Sequence, residues 1–118
     1  MNLFVHAPAI YLHREPVDFR KQIDGLAAIV ELTMKQPLST GALFVFCSKR
    51  RNKLKCLYWD KTGFCLWYKR LEKDTFKWPK KHEQATIKIN EEQLNWLLRG
   101  VDISAVKPHK NIEFDSAF

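Results

Sequence analysis

The sequence predicts an α+β domain: an antiparallel β-sheet meander of about four to five strands packed against an N-terminal helix, with a second short helix near the C-terminus. Three observations carry this. Apolar residues recur at three- and four-residue spacing from Asp18 onward, strand-length apolar runs follow one another between Ala42 and Leu71, and Asn90 stands three residues ahead of Gln93 before a second apolar run. At 118 residues the chain reads as a single domain, 1–118, with a compact core over about 9–102 and a partly ordered tail over 103–118.

Taken in order, Ala9 to His13 is rich in branched and aromatic residues and is stopped by Pro16, which predicts a strand. The following periodicity places Phe19, Ile23, Leu26, Ala27, Val30 and Met34 on one helical face, with Asp18 in the first turn, where the helix dipole favours a carboxylate. Gly25 inside that helix implies that another backbone packs closely against it. Pro37 to Gly41 is a turn-rich connector. Ala42 to Cys47 is continuously apolar and reads as a central strand, Ser48 to Asn52 as a basic loop, and Leu54 to Trp59 and Phe64 to Leu71 as two strands joined by Asp60 to Gly63. Alternation puts Leu54, Cys56 and Tyr58 on one face and Lys53, Lys55, Leu57 and Trp59 on the other. Neither face is cleanly polar, so one side of the sheet is expected to carry the helix and the other to present aromatics flanked by cations. Phe76 to Lys81 reads as a turn or edge segment because Pro79 lacks a ladder donor. Ala85 to Ile89 is a short strand, and Asn90 with Gln93 forms a capping box for a helix stopped at Gly100.

The charge is local. Residues Lys49 to Lys81 hold twelve Lys or Arg against Asp60, Glu72 and Asp74, interleaved with seven aromatic rings, whereas the whole chain is only +7. Cations alternating with flat apolar rings suit a polyanion whose bases stack, so nucleic acid is the first partner to weigh. The candidate contacts are Arg20, Lys21, Lys49, Arg50, Arg51, Lys53, Lys69, Arg70, Lys80 and Lys81 for phosphates, with Trp59, Trp67 and Trp78 for stacking or for an interface. Core or edge packing is the competing use of each tryptophan, and a solvated helix face or pairing with Asp24 that of Arg20 and Lys21.

No apolar run approaches the ~20 residues that cross a bilayer, and no secretory signal is visible at the start, so a cytoplasmic protein without membrane contact is expected. Cys47, Cys56 and Cys65 sit nine residues apart with no paired spacing, and His6, His13, His82 and His109 are scattered. Reduced core thiols are expected, with no metal and no cofactor. There is no phosphate-binding glycine loop, no dinucleotide fingerprint and no hydrolase or metalloprotease motif. A two-metal nuclease centre would draw on Asp18, Asp24, Asp60, Asp74 and Asp102, but a helix start, a hairpin turn and a loop account for Asp18, Asp60 and Asp74. A non-enzyme is therefore expected.

Several blocks are more specific. Asp18-Phe19-Arg20-Lys21, Asp24-Gly25-Leu26, Gly41 to Phe46, Trp59-Asp60, Gly63-Phe64-Cys65-Leu66-Trp67-Tyr68-Lys69-Arg70-Leu71-Glu72 and Phe76-Lys77-Trp78-Pro79 resemble the accessory proteins of the IS66 insertion-sequence family, the TnpB-type products of the second reading frame. The resemblance runs from about Ile10 to Asp102. Phe19 stands where that pattern commonly has Met, and Val17 near a Thr that would cap a helix better. The resemblance implies a bacterial transposition accessory protein, encoded beside a DDE-type transposase that carries the catalytic carboxylates. Two readings stay open: a DNA-binding factor, with transposon ends as the target, and an adaptor that docks on the transposase without touching DNA. The oligomeric state is not legible in the sequence.

Overall fold

The computed structural model describes residues 7–79 and 84–103. Five strands form one sheet: β1 (Ile10–His13), β2 (Leu43–Cys47), β3 (Lys53–Asp60), β4 (Gly63–Arg70) and β5 (Thr86–Ile89), in the spatial order β4-β3-β2-β1-β5. Helix α1 (Ile23–Ile29) continues into a π turn over Val30–Met34, and helix α2 (Glu91–Leu98) closes the described chain. The meander β2-β3-β4 is antiparallel, as the sequence predicts, and β5 pairs antiparallel with β1. The sheet is nevertheless mixed, because β1 and β2 run parallel, with Ile10 opposite Leu43. Parallel neighbours need a crossover, and the chain between them supplies it by carrying α1 across one face of the sheet.

β2 is buried along its whole length. Phe44 and Phe46 point to the α1 side, where they meet Leu26, Val30, Met34 and Leu57. Leu43, Val45 and Cys47 point to the other side, where Leu54, Cys56, Leu94, Leu97, Phe76 and Trp78 complete a second cluster. Both faces are thus covered. The expectation of one helix-covered face and one face of aromatics flanked by cations does not hold, since α2 and the segment 71–79 seal the second side. That segment is neither edge nor free turn: Phe76 and Trp78 are buried, the Phe76 N–H donates to the Arg51 carbonyl at 2.7 Å, and the Trp78 indole N–H donates to the His13 carbonyl at 3.2 Å.

The helix ends explain where the helices stop. At α2, the Gln93 N–H donates to Asn90 Oδ1 at 2.7 Å and the Asn90 N–H donates to Gln93 Oε1 at 2.9 Å, the reciprocal box read from the sequence. Such a cap contributes about 1 kcal/mol. Gly100 ends the helix with φ of +85°, its N–H donating to the Leu97 carbonyl and that of Val101 to the Trp96 carbonyl. Helix α1 begins later than predicted, at Ile23 rather than near Asp18. Asp18 instead closes a turn of its own: its carboxylate accepts from the Arg20 N–H at 2.9 Å and from the Arg20 guanidinium, and its carbonyl accepts from the Lys21 N–H. Gly25 does sit in close quarters, but what a Cβ would meet at 3.1 Å is the Lys21 side chain and not another backbone. The described chain ends at Ile103, which is buried in the α2-side cluster; the rest of the expected tail lies outside the described residues.

One side chain ties the turn before α1 to the sheet. Lys55, on the α1 face of β3, is only 5% exposed, and its ammonium donates to the carbonyls of Phe19 at 2.9 Å and Lys21 at 2.8 Å. It also lies 4.9 Å from the Phe19 ring centroid and 5.9 Å from that of Tyr68. Desolvation, reinforced by the charge of Lys53, pulls its pKa below the ordinary lysine value. Replacing Lys55 with Met removes both charge-assisted bonds, and a loss of about 1–3 kcal/mol is expected in urea unfolding. Trypsin should then cut faster after Arg20 and Lys21; unchanged cleavage there would mean the segment is held without the amine.

The two buried thiols add a pH dependence. Burial pushes Cys47 up to about 12 and Cys56 higher still. A thiol held protonated in the fold contributes stability that is complete below its unfolded pKa of about 8.5 and is lost as the pH climbs from there toward the folded value. Unfolding free energy should therefore fall by as much as about 1.4 kcal/mol per pH unit per thiol between pH 9 and 11. Comparison with a Cys47→Ala, Cys56→Ala variant checks this: the variant is less stable at neutral pH and has the shallower alkaline slope.

Candidate nucleic-acid interface

The α1 side of the sheet is not covered from end to end. Helix α1 lies over Leu57, Phe64 and Leu66, and leaves the end of the β3-β4 hairpin next to the loop 48–52 open. On that open end the register sets Lys53 opposite Arg70 and Lys55 opposite Tyr68, all on one face. The turn before α1 passes above them, held by Lys55, and brings Phe19 to Tyr68 with ring centroids 6.2 Å apart in an edge-on arrangement. Tyr68 is 50% exposed, unusual for a large side chain here.

Three depressions join along this line. The first, about 500 Å³, lies between the 48–53 loop and the turn, and Phe19, Lys49, Arg50 and Lys53 line it. The second, about 320 Å³, shares Phe19 and Lys53 with the first and has Lys55 and Tyr68 in its wall. The third, about 650 Å³, shares Gln22 and Leu66 with the second and ends at Lys21 and Asp24. Together they form a furrow with Lys21, Lys49, Arg50, Lys53 and Lys55 along it and two carboxylates on its rim. One of those, Asp18, is already engaged: the Arg20 guanidinium, with Nη2 at 2.6 Å, holds its carboxyl far below the usual carboxylate range.

The structure divides the sequence-predicted contacts. Lys21, Lys49, Arg50 and Lys53 come together on the furrow. Arg20 is paired with Asp18 at its mouth, and Arg70 flanks it paired with Glu72 at 2.9 Å. Arg51 adopts a left-handed backbone at φ of +60° and is half-buried, with its Nε sequestered and without a hydrogen-bond partner among the described residues. Lys69 belongs elsewhere: strand alternation sends it to the opposite face, where Nζ donates to the Leu98 carbonyl at 3.0 Å and serves the C-terminus of α2. Lys80 and Lys81 lie outside the described residues.

The candidate tryptophans Trp59, Trp67 and Trp78 do not line the furrow. Trp78 is core, with its N–H used by His13. Trp67 is half-buried and packs on the α2-side cluster. Trp59 is half-buried against Phe64, with centroids 5.0 Å apart and rings at 74°. The rings that reach the furrow are Phe19 and Tyr68, and the sequence reading missed both, together with Lys55. The parity of β3 already set Lys55 beside Lys53; what no pattern showed was that the turn before α1 would fold over that side.

Cations, amides and aromatic rings suit the furrow to binding a polyanion. Among the described residues no three His, Cys, Asp or Glu side chains gather closely enough to hold a metal ion, and no helix is long and apolar enough to cross a membrane.

Comparison with known proteins gives the chain its place. It is 36% identical over 98 residues to the uncharacterized protein y4jC of Sinorhizobium fredii (strain NBRC 101917 / NGR234), covering 83% of each chain. It is 38% identical over 85 residues to the uncharacterized protein y4hO of the same organism, covering 72% of this chain and 73% of that one. No solved structure matches. The family described as IS66 Orf2 like protein matches residues 8–108, nearly the whole span of the sheet and helices, and the chain belongs to this family of insertion-sequence accessory proteins.

Proposed function

We propose that this accessory protein is a non-catalytic DNA-binding factor that assists a separately encoded DDE transposase, with transposon ends as its target. The observation that carries the reading is the furrow, where Lys21, Lys49, Arg50 and Lys53 line adjoining depressions and the nearer carboxylate is already bound by Arg20. Lys and Arg on phosphates give affinity that is salt-sensitive and only weakly dependent on sequence.

Fluorescence anisotropy with labelled terminal-repeat DNA and a scrambled control, across a salt series, tests it. The variant to make is Lys49→Ala with Arg50→Ala, because both side chains are exposed and on the furrow, whereas Arg51 is half-buried. Affinity should drop on both DNAs alike, and the slope of log K against log salt should flatten by up to about 1.8 for two lost phosphate contacts. Equal affinity and slope would remove this loop from the interface.

A second reading, an adaptor docking on the transposase, draws support from β4. In its ladder with β3 the odd-numbered residues bond inward, as the Leu71 N–H to Asn52 carbonyl bond at 2.8 Å continues to show. The backbone groups of Phe64, Leu66 and Tyr68 therefore face outward along an uncharged edge, a template for strand addition. Replacing Leu66 with Pro blocks such pairing. Under the adaptor reading it abolishes co-purification with the transposase; under the DNA-factor reading alone, co-purification in nuclease-treated extracts is unaffected.

A further inference from the structure

We infer that the furrow takes unpaired nucleotides, with Tyr68 and Phe19 as the surface on which a base stacks, so that the ligand is a frayed or single-stranded stretch of DNA and not an intact duplex. The inference rests on the DNA-binding reading above and sharpens it.

The arrangement separates two kinds of contact. Lys49, Arg50 and Lys53 sit at one end of the furrow and Lys21 at the other, and the middle is the smallest of the three depressions, about 320 Å³, walled by Phe19 and Tyr68. A polyanion running along it has phosphates over the ends and passes Phe19, Leu66 and Tyr68 between them, with Lys53 and Lys55 beside the rings. In a duplex the flat faces of the bases are covered by their neighbours, and only groove edges and backbone are presented. An unpaired base offers a π-face to that wall and its phosphates to the flanking cations, the combination used by single-strand binding surfaces.

The rings are also prepared for this role. The Lys55 ammonium lies 4.9 Å from the Phe19 centroid and 5.9 Å from that of Tyr68 while bonded to two carbonyls, so both rings are held before any ligand arrives. Half of Tyr68 remains exposed. An exposed ring between cations suits splayed bases, whose faces are free to stack.

The test compares, by anisotropy at fixed salt, a short oligothymidylate, an abasic oligomer with the same number of phosphates, a duplex of equal length and an oligouridylate. Wild-type protein should bind oligothymidylate about tenfold more tightly than the abasic oligomer, within the range that base–aromatic stacking delivers. Tyr68→Ala should erase most of that difference, and Tyr68→Phe should keep it. Equal binding of the oligothymidylate and the abasic oligomer by wild-type protein would overturn the stacking inference while leaving a phosphate-binding furrow in place, and needs no variant to fold. Tighter binding of the duplex than of either single strand would also overturn it. Tighter binding of oligouridylate than of oligothymidylate would overturn DNA as the ligand. Absence of salt-sensitive binding to every oligomer would overturn both this inference and the DNA-binding reading on which it rests.

Discussion

A central strand with no solvent-facing side constrains everything else in this fold. Leu43–Cys47 presents five apolar side chains, two to one face and three to the other, so each face of the sheet needs a cover. The described residues supply two short helices for the purpose. On one side α2 is supplemented by Phe76 and Trp78 from an irregular segment, and the seal is complete enough to bury Cys47, Leu54 and Cys56. On the other side α1 works alone and is a residue shorter than α2, with a π turn added at its end. The uncovered remainder of that face is where the furrow lies. The furrow is thus a consequence of how little helix the crossover carries.

Lys55 reconciles a cation with an apolar face. Burying an ammonium is costly unless it is bonded, and two carbonyls with two ring faces supply the partners. Those carbonyls belong to the turn between Asp18 and Lys21, which has no helical hydrogen bonding of its own at that point. The bond set therefore does two things at once, satisfying the amine and fixing the turn that forms one wall of the furrow. The exposed ion pairs do less for the fold. Arg20 with Asp18, Arg70 with Glu72 and Lys77 with Asp74 are all at the surface, where such pairs contribute little. The importance of the first two is local: they leave Arg20 and Arg70 neutralised beside the furrow.

The sequence exposed the strands better than the crossover. Alternation in β3 and β4 assigned their faces, and the Asn90 and Gln93 pair located the second helix to the residue, because both signals are local and periodic. The parallel pairing of β1 with β2 was invisible, since direction depends on the path of the chain between them. The late start of α1 was hidden by Asp18, whose carboxylate serves a turn as well as it would serve a helix. Among the functional candidates, charge clustering singled out Lys49, Arg50 and Lys53, which line the furrow because loop and strand-end cations have nowhere to go but the surface. It misplaced Lys69, whose parity sends it to α2, and it favoured tryptophan over Tyr68 because ring size says nothing about which face a ring is on.

That parity divides the most specific block of the chain between two tasks. In Gly63 to Glu72, Cys65, Trp67, Lys69 and Leu71 turn to the α2 side, while Phe64, Leu66, Tyr68 and Arg70 turn to the side of the furrow. The F-x-W-P segment falls wholly to the structural task. Truncating a buried aromatic such as Phe76 costs about 3–5 kcal/mol, a large share of the roughly 5–15 kcal/mol that a domain has in total. Loss of transposition on changing Phe76 or Trp78 is then explained by unfolding, whatever the partner. Only substitutions on the other parity, at exposed Tyr68 or at the loop cations, separate the work of the surface from the survival of the fold. The F-x-W-P residues, which help to identify the family, are for that reason not the ones that report its chemistry.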